Sequence, residues 1–220
     1  MVKDDSITNG DAMELVQFYN FLKNKYDNNN PIFVRDVKIG ELSYAQICQY
    51  IKRLCDAGKI KRYEKGIYYF PTQTILGVSE LDFMKVLEQK YIRSGSAVYG
   101  YFSGLTLINK LALSTQVPNI FEIVTNNESS KRRQVVLGNR KIVVKKSRVK
   151  ITNRNVKILQ FLELLNTLDI KVLGNLEIEI LKTYVRDNKI KQKDVIDYVG
   201  AYPNRVSKLL VESRLINEFA

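Results

Sequence analysis

The stretch SYAQICQYIKRLCDAGKIKRYEKGIYYFP, residues 43–71, decides the reading of the first third of the chain. Ser43 and Gln46 stand in the S-x-x-Q spacing of a capping box, which satisfies orphan backbone N–H groups at a helix start. Gly58 is the matching stop, because glycine accepts the left-handed conformation that ends many helices. Stepping about 100° per residue from Ser43 puts Tyr44, Ile47, Cys48, Ile51, Leu54 and Cys55 between about 20° and 140°. Gln46, Gln49, Tyr50 and Arg53 fall between about 240° and 340°. One face is apolar; the other carries two amides, a phenol and a guanidinium. Gln and Arg can make bidentate contacts with adenine and guanine edges in the major groove. A helix face that is merely solvated has a similar composition.

The segment after the helix bears on that choice. Lys59–Tyr63 and Ile67–Phe70 read as two strands around a tight turn, with Gly66 supplying the positive φ that a short hairpin needs. Upstream, residues 9–28 place Ala12, Leu15, Val16, Tyr19, Leu22 and Tyr26 at helical spacing. The Asn run before Pro31 ends that helix. Ile32–Val34 suits a short strand, and Arg35–Ile39 a helical turn stopped by Gly40. Helix, short helix, helix and basic hairpin is the plan of a winged helix-turn-helix. In that plan the second helix of the turn enters the major groove, and the hairpin lies against phosphates. Ser43, Gln46, Gln49, Tyr50 and Arg53 are then the candidate reading helix, and Lys61, Arg62 and Lys65 the candidate wing.

The second informative stretch is KRRQVVLGNRKIVVKKSRVKITNRNVK, residues 131–157, with eleven basic residues and no acid. The whole chain of 220 residues carries a net +12, so this window holds nearly all of it. A like-charge cluster repels itself and points to a polyanionic partner. Its interleaved Val, Leu and Ile residues predict strands of a folded sheet. Lys146, Arg148 and Lys150 would share one strand face. The candidate basic patch is Lys131, Arg132, Arg133, Arg140, Lys141, Lys145, Lys146, Arg148, Lys150 and Arg154. It extends a promoter footprint along phosphates, or binds RNA, or is a solvated or acidic-protein face. The window has no aromatic residue, which weakens single-strand stacking.

Other classes are disfavoured by what the chain lacks. It has no histidine, which removes His-based triads and the usual zinc spacings. No phosphate-binding or dinucleotide glycine motif occurs. Cys48 and Cys55, two turns and about 10 Å apart on one helix, read as reduced thiols. No run reaches the roughly 18 apolar residues of a membrane span. The acidic, polar opening MVKDDSITNGDAM is unlike a secretory signal, so the expected location is cytoplasmic, with no cofactor, no metal and no enzymatic activity.

Residues 97–127, AVYGYFSGLTLINKLALSTQVPNIFEIVTNN, and the earlier IKRLCDAGKIKRYEKGIYYFP, residues 51–71, resemble the AbiEi antitoxins of bacterial abortive-infection toxin–antitoxin systems. The resemblance covers roughly residues 10 to 150 and rests on pattern and order. It implies an N-terminal winged helix and a larger mixed α/β C-terminal domain. It also implies repression of the chain's own operon through inverted repeats in promoter DNA. A nucleotidyltransferase-like toxin would be neutralised, without a stable toxin complex. On the same resemblance the Gln46, Gln49, Tyr50, Arg53 stripe and the Lys61, Arg62, Lys65 wing match the family's DNA-binding module, and SGLTLINKLAL a packing helix.

Residues 79–93 predict a helix capped by Ser79, and residues 154–167 and 175–187 two more. The pair within 188–214, turning at Gly200–Pro203, reads as an ordinary helical corner or a second helix-turn-helix exposing Asn204, Arg205, Ser207 and Lys208. The expectation is thus an α+β chain of two domains. Residues 1–72 form the winged helix; residues 79–220 hold a basic sheet at about 120–151 and a helical end. Two other functions fit the same residues. One is a plain winged-helix transcriptional regulator with a protein-interaction domain; the other is a nucleic-acid-modifying enzyme with a DNA-targeting module.

Overall fold

The structure, a computed structural model, describes residues 9–75, 77–169 and 174–219, with side chains from residue 15 onward. The acidic opening, residues 1–8, and the Ala12 side chain lie outside the described part. The fold is mixed α and β. It divides into two compact units, residues 1–86 and 87–220.

The first unit begins with α1 (Asn9–Lys25), β1 (Ile32–Phe33) and a 3-10 turn, Val34–Asp36. Helix α2 (Tyr44–Asp56) comes next, then β2 (Lys61–Glu64) and β3 (Ile67–Tyr69). The three strands form an antiparallel sheet in the order β1-β3-β2. The capping box is made at both ends: the Gln46 N–H donates to the Ser43 Oγ at 3.3 Å, and the Ser43 N–H donates to the Gln46 Oε1 at 2.9 Å. Gly66 has φ +82°, as the hairpin requires. Phe18, Leu22, Ile32, Ile47, Ile51, Leu54, Ile60 and Phe70 close the core. Val16, expected on the apolar side of α1, is instead exposed, and Phe18 takes the inward position. Helix α1 also stops at Lys25, ahead of the expected 28.

The first unit continues past residue 72 because polar bonds tie the next segment back to it. The Asn29 amide donates to the Thr72 Oγ1 at 2.8 Å, the Thr72 N–H to the Ser79 Oγ at 2.9 Å, and the Ser79 N–H to the Thr72 carbonyl at 2.9 Å. Ser79 is thus part of this knot and caps no helix. The next helix, α3 (Phe83–Tyr91), starts later, with the Asp82 carboxylate accepting from the Met84 N–H at 2.8 Å. Two short hairpins flank it: β4 (Gln73–Thr74) with β5 (Gly77–Val78), and β6 (Arg93–Ser94) with β7 (Ala97–Val98).

The second unit is built on β8 (Gly100–Ser103), β9 (Phe121–Thr125), β10 (Arg133–Leu137) and β11 (Arg140–Lys146). Their order is β10-β11-β9-β8, with β11 parallel to β9 and the other pairs antiparallel. Helix α4 (Gly104–Lys110) packs on β8 and β9. It ends at Lys110, short of the expected apolar run, where Ala112 turns to φ +55°. Helix α5 (Val156–Thr167) lies between β8 on one side and α7 (Gln192–Val199) and α8 (Asn204–Glu212) on the other. Apolar contact all round explains its LQFLELL composition. Helix α6 (Asn175–Asp187) stacks Tyr184 on Phe161 of α5 at 5.8 Å.

Strand β11 ends at Lys146, so the expected strand through Lys146, Arg148 and Lys150 does not form. The last ladder bond runs from the Ser147 N–H to the Thr125 carbonyl, and the Ser147 hydroxyl then bonds the Val149 carbonyl. That local bond competes with ladder geometry and turns the chain.

Candidate nucleic-acid interface

In the first unit the exposed face of α2 carries Gln46, Gln49, Lys52 and Arg53. Tyr50 does not belong to it. Its ring is 8% exposed and packs on Phe18 at 5.2 Å between centroids. The apolar arc is simply wider than the periodicity suggested, and Tyr50 lies about 40° from Leu54 around the helix. Gln46 is exposed, but its Oε1 is held by Ser43 in the capping box, so its amide is not free for a two-point contact. The Gln49 and Arg53 side chains make no hydrogen bond or ion pair among the described residues, which leaves their polar heads to solvent or a ligand. Lys52, at about 180° on the same wheel, was missed by the sequence reading. Lys61, Arg62 and Lys65 are all exposed on the hairpin, with no carboxylate partner among the described residues. Helix α2 and the hairpin belong to one packed unit around one core.

The basic window of the second unit separates into three groups. Lys131, Arg132, Lys145, Lys146 and Arg148 line a cavity of about 580 Å³, and Lys150 joins Lys146 and Arg148 around a neighbouring hollow of about 420 Å³. Arg140, Lys141 and Arg154 are exposed elsewhere, the first two beside the Gly138–Asn139 turn. Arg133 is already committed. Its Nε and Nη2 donate to Glu128 Oε2 at 3.0 and 2.8 Å. The Ser130 N–H, foremost, and the Arg133 guanidinium hold the Glu128 carboxyl below its usual range.

The cavity has a polar floor that no local spacing announced. Glu163 of α5 is 6% exposed. It accepts from the Ser103 hydroxyl at 3.1 Å and stands 3.9 Å from the Lys145 Nζ and 4.0 Å from the Arg148 Nε. Lys145 also pairs with Glu122 at 2.6 Å. Arg148 lies over the Tyr202 ring at 5.3 Å and approaches the Ala201 carbonyl. Tyr202 donates to the Leu159 carbonyl at 3.0 Å, and Tyr101 to Tyr202 at 3.4 Å. Burial pushes the Tyr101 phenol well up, and Tyr202 up to about 12. The one signal available in the sequence was Glu163 itself, a lone acid in an apolar helix.

A model of the DUF6088 family, described as a family of unknown function, matches residues 24–195. The chain belongs to that family. No curated protein matches it. The DUF6088 match takes in α2, the basic hairpin, the four-stranded sheet and the cavity with its Glu163 floor. It ends inside α7, ahead of the four residues considered for a second DNA element. Asn204, Arg205, Ser207 and Lys208 are exposed on α8. Arg205 donates to Asn166 at 3.1 Å and Lys208 pairs with Glu212 at 3.5 Å, so both cations are used internally. Cys48 and Cys55 are half-buried free thiols. Among the described residues no three His, Cys, Asp or Glu side chains are placed to hold a metal, and no helix is long and apolar enough to cross a membrane.

Proposed function

We propose that this DUF6088 chain binds duplex DNA sequence-specifically through its first unit, read as a winged helix, and represses its own promoter from the cytoplasm. The observation that carries the reading is the pairing of an unoccupied Gln49–Arg53 face on α2 with an unpaired cationic hairpin, Lys61, Arg62 and Lys65, on the same core. Arg53 and Gln49 have the chemistry to read base edges. The hairpin cations have the chemistry to hold phosphates and fix the register. The resemblance to AbiEi antitoxins extends the proposal to neutralising a nucleotidyltransferase-like toxin.

The test is binding of the full chain to its own upstream DNA against scrambled duplex, across a salt series. Preference for the upstream sequence is expected. Four phosphate-facing cations, Lys52, Lys61, Arg62 and Lys65, give an expected slope of log affinity against log salt of about −3 to −4, at about 0.9 per neutralised phosphate. Equal affinity for both duplexes at every salt concentration would refute specific reading. Growth rescue on co-expression with the neighbouring gene's product separates the antitoxin from a regulator alone.

A further inference from the structure

The cavity of the second unit is a different kind of feature from an exposed DNA-binding face. It is concave and, at about 580 Å³, falls in the size range of small-ligand pockets. Five cationic side chains line it, and the two carboxylates paired with Lys145, Glu122 and Glu163, leave three positive charges uncompensated. Lys131, Arg132 and Lys146 have no carboxylate partner among the described residues. Tyr101 and Val124 supply the apolar part of the wall.

The floor indicates what the cations are arranged for. A carboxylate at position 163 has been taken out of water inside an otherwise apolar helix, which is costly unless its partners are close. Its contacts to Lys145 and Arg148 are at 3.9 and 4.0 Å, too long for good hydrogen bonds. Leucine would serve the packing of α5 better. Glu163 stands beside two cations: Lys145, whose Nζ already pairs with Glu122 at 2.6 Å and donates to the Ser103 Oγ at 3.4 Å, and Arg148, whose N–H donors are largely unused. Arg148 makes one protein hydrogen bond, at 3.5 Å, out of five possible.

We propose that this cavity binds the polyphosphate of a nucleotide, with Lys145 and Arg148 set by Glu163, and with Arg132 and Lys146 closing on the phosphates from the rim. A chain of phosphates brings several negative charges into a small volume, which matches the uncompensated cations. Planar guanidinium groups bind phosphate oxygens in pairs. Tyr101 and Val124, each 3% exposed, present little surface to a nucleoside, so the phosphate chain is the group recognised. A duplex fits this site poorly. Its phosphates lie on a convex surface, whereas Lys145 is only 23% exposed at the cavity floor. The inference concerns the second unit alone and stands whether or not the first binds DNA.

The experiment is calorimetric titration of ATP, GTP and inorganic tripolyphosphate into the full chain at fixed ionic strength. The variants are Arg132→Ala/Lys146→Ala, whose side chains are exposed and unpaired, and Glu163→Leu. Expected is saturable binding at one site per chain, weakened about tenfold or more by the double variant and also by Glu163→Leu. Equal binding of all three probes assigns the phosphate chain as the recognised group. Tighter binding of the nucleotides adds a contact to the nucleoside. The proposal is overturned if none of the probes saturates, or if binding is unmoved by the double variant. It is also overturned if the double variant weakens only duplex DNA, which would return these cations to the DNA surface.

Discussion

Tyr50 and Arg53 sit one turn apart on α2, and replacing each by alanine separates packing from recognition. Tyr50 is 8% exposed and packs against Phe18 in a tilted ring pair. Truncating a large buried aromatic costs about 3–5 kcal/mol, of which about 0.5–1.5 kcal/mol belongs to the ring pair itself. Tyr50 lies at the border of the core, so the lower part of that range, about 3–4 kcal/mol, is expected. At about 1.4 kcal/mol per tenfold, amides of residues 44–56 should exchange with solvent about a hundred to a thousand times faster. Residues 156–167, around their own core, should keep wild-type protection. Arg53→Ala loses a cation in the last turn of α2, worth about 0.3–1 kcal/mol, partly offset by alanine's helix propensity. Its effect on exchange should stay under about tenfold. On promoter DNA, however, it should cost about 1–3 kcal/mol at the base it reads, with a smaller loss on scrambled duplex. Hydrogen-exchange mass spectrometry and a binding titration measure both. Unchanged protection of α2 in Tyr50→Ala would refute the packing assignment. Equal losses on both duplexes in Arg53→Ala would refute base reading.

Glu163→Leu should leave the stability of the second unit within about 1 kcal/mol of wild type or raise it, because it removes a desolvated charge whose cations remain partly solvated. Urea unfolding measures this, and a loss above about 3 kcal/mol would mean that the carboxylate is structural. Glu128 has a folded carboxyl held below its usual 4.5, chiefly by the Ser130 N–H. Its stabilising contribution is therefore full above pH 4.5 and disappears as pH falls through the lower folded value. The stability gap between wild type and Glu128→Gln should be flat from about pH 7 to 5 and close in acid; a gap that widens in acid contradicts the assignment. At the alkaline end, Tyr101 and Tyr202 are held neutral chiefly by burial. Their contribution is intact below about pH 10 and is lost as pH rises toward the folded values, about 12 for Tyr202. Tyrosinate absorbance should thus rise in two phases, the second with unfolding. A single phase for all 13 tyrosines would show these two to be solvated.

Sequence patterns carried well where structure is local. The capping box at Ser43 and Gln46, the stop at Gly58 and the hairpin turn at Gly66 are decided by neighbours a few residues away, and all three form. Tyr50 was misplaced because an amphipathic aromatic at the edge of a helical wheel serves either face. The strand beyond Lys146 was overextended because alternation continues past Ser147 while one hydroxyl ends the ladder. The cavity floor was out of reach for a different reason. Ser103, Glu122, Lys145 and Glu163 come from β8, β9, β11 and α5, and meet only through the pairing of the sheet and the docking of α5. No spacing along the chain encodes that meeting.

Strand β10 lies at one edge of its sheet, so one side of it presents backbone N–H and C=O groups with no neighbouring strand among the described residues. Val136 on it is 63% exposed, a surface suited to pairing with another copy. Lys131 and Arg132, just before this edge and with no carboxylate partner among the described residues, repel such a copy at moderate salt. The Debye length falls from about 10 Å at 0.1 M to about 3 Å at 1 M. The brine commonly used to strip nucleic acid from a basic protein therefore also removes the barrier to self-association. Preparations should stay monodisperse in dilute buffer and aggregate edge to edge when concentrated in high salt.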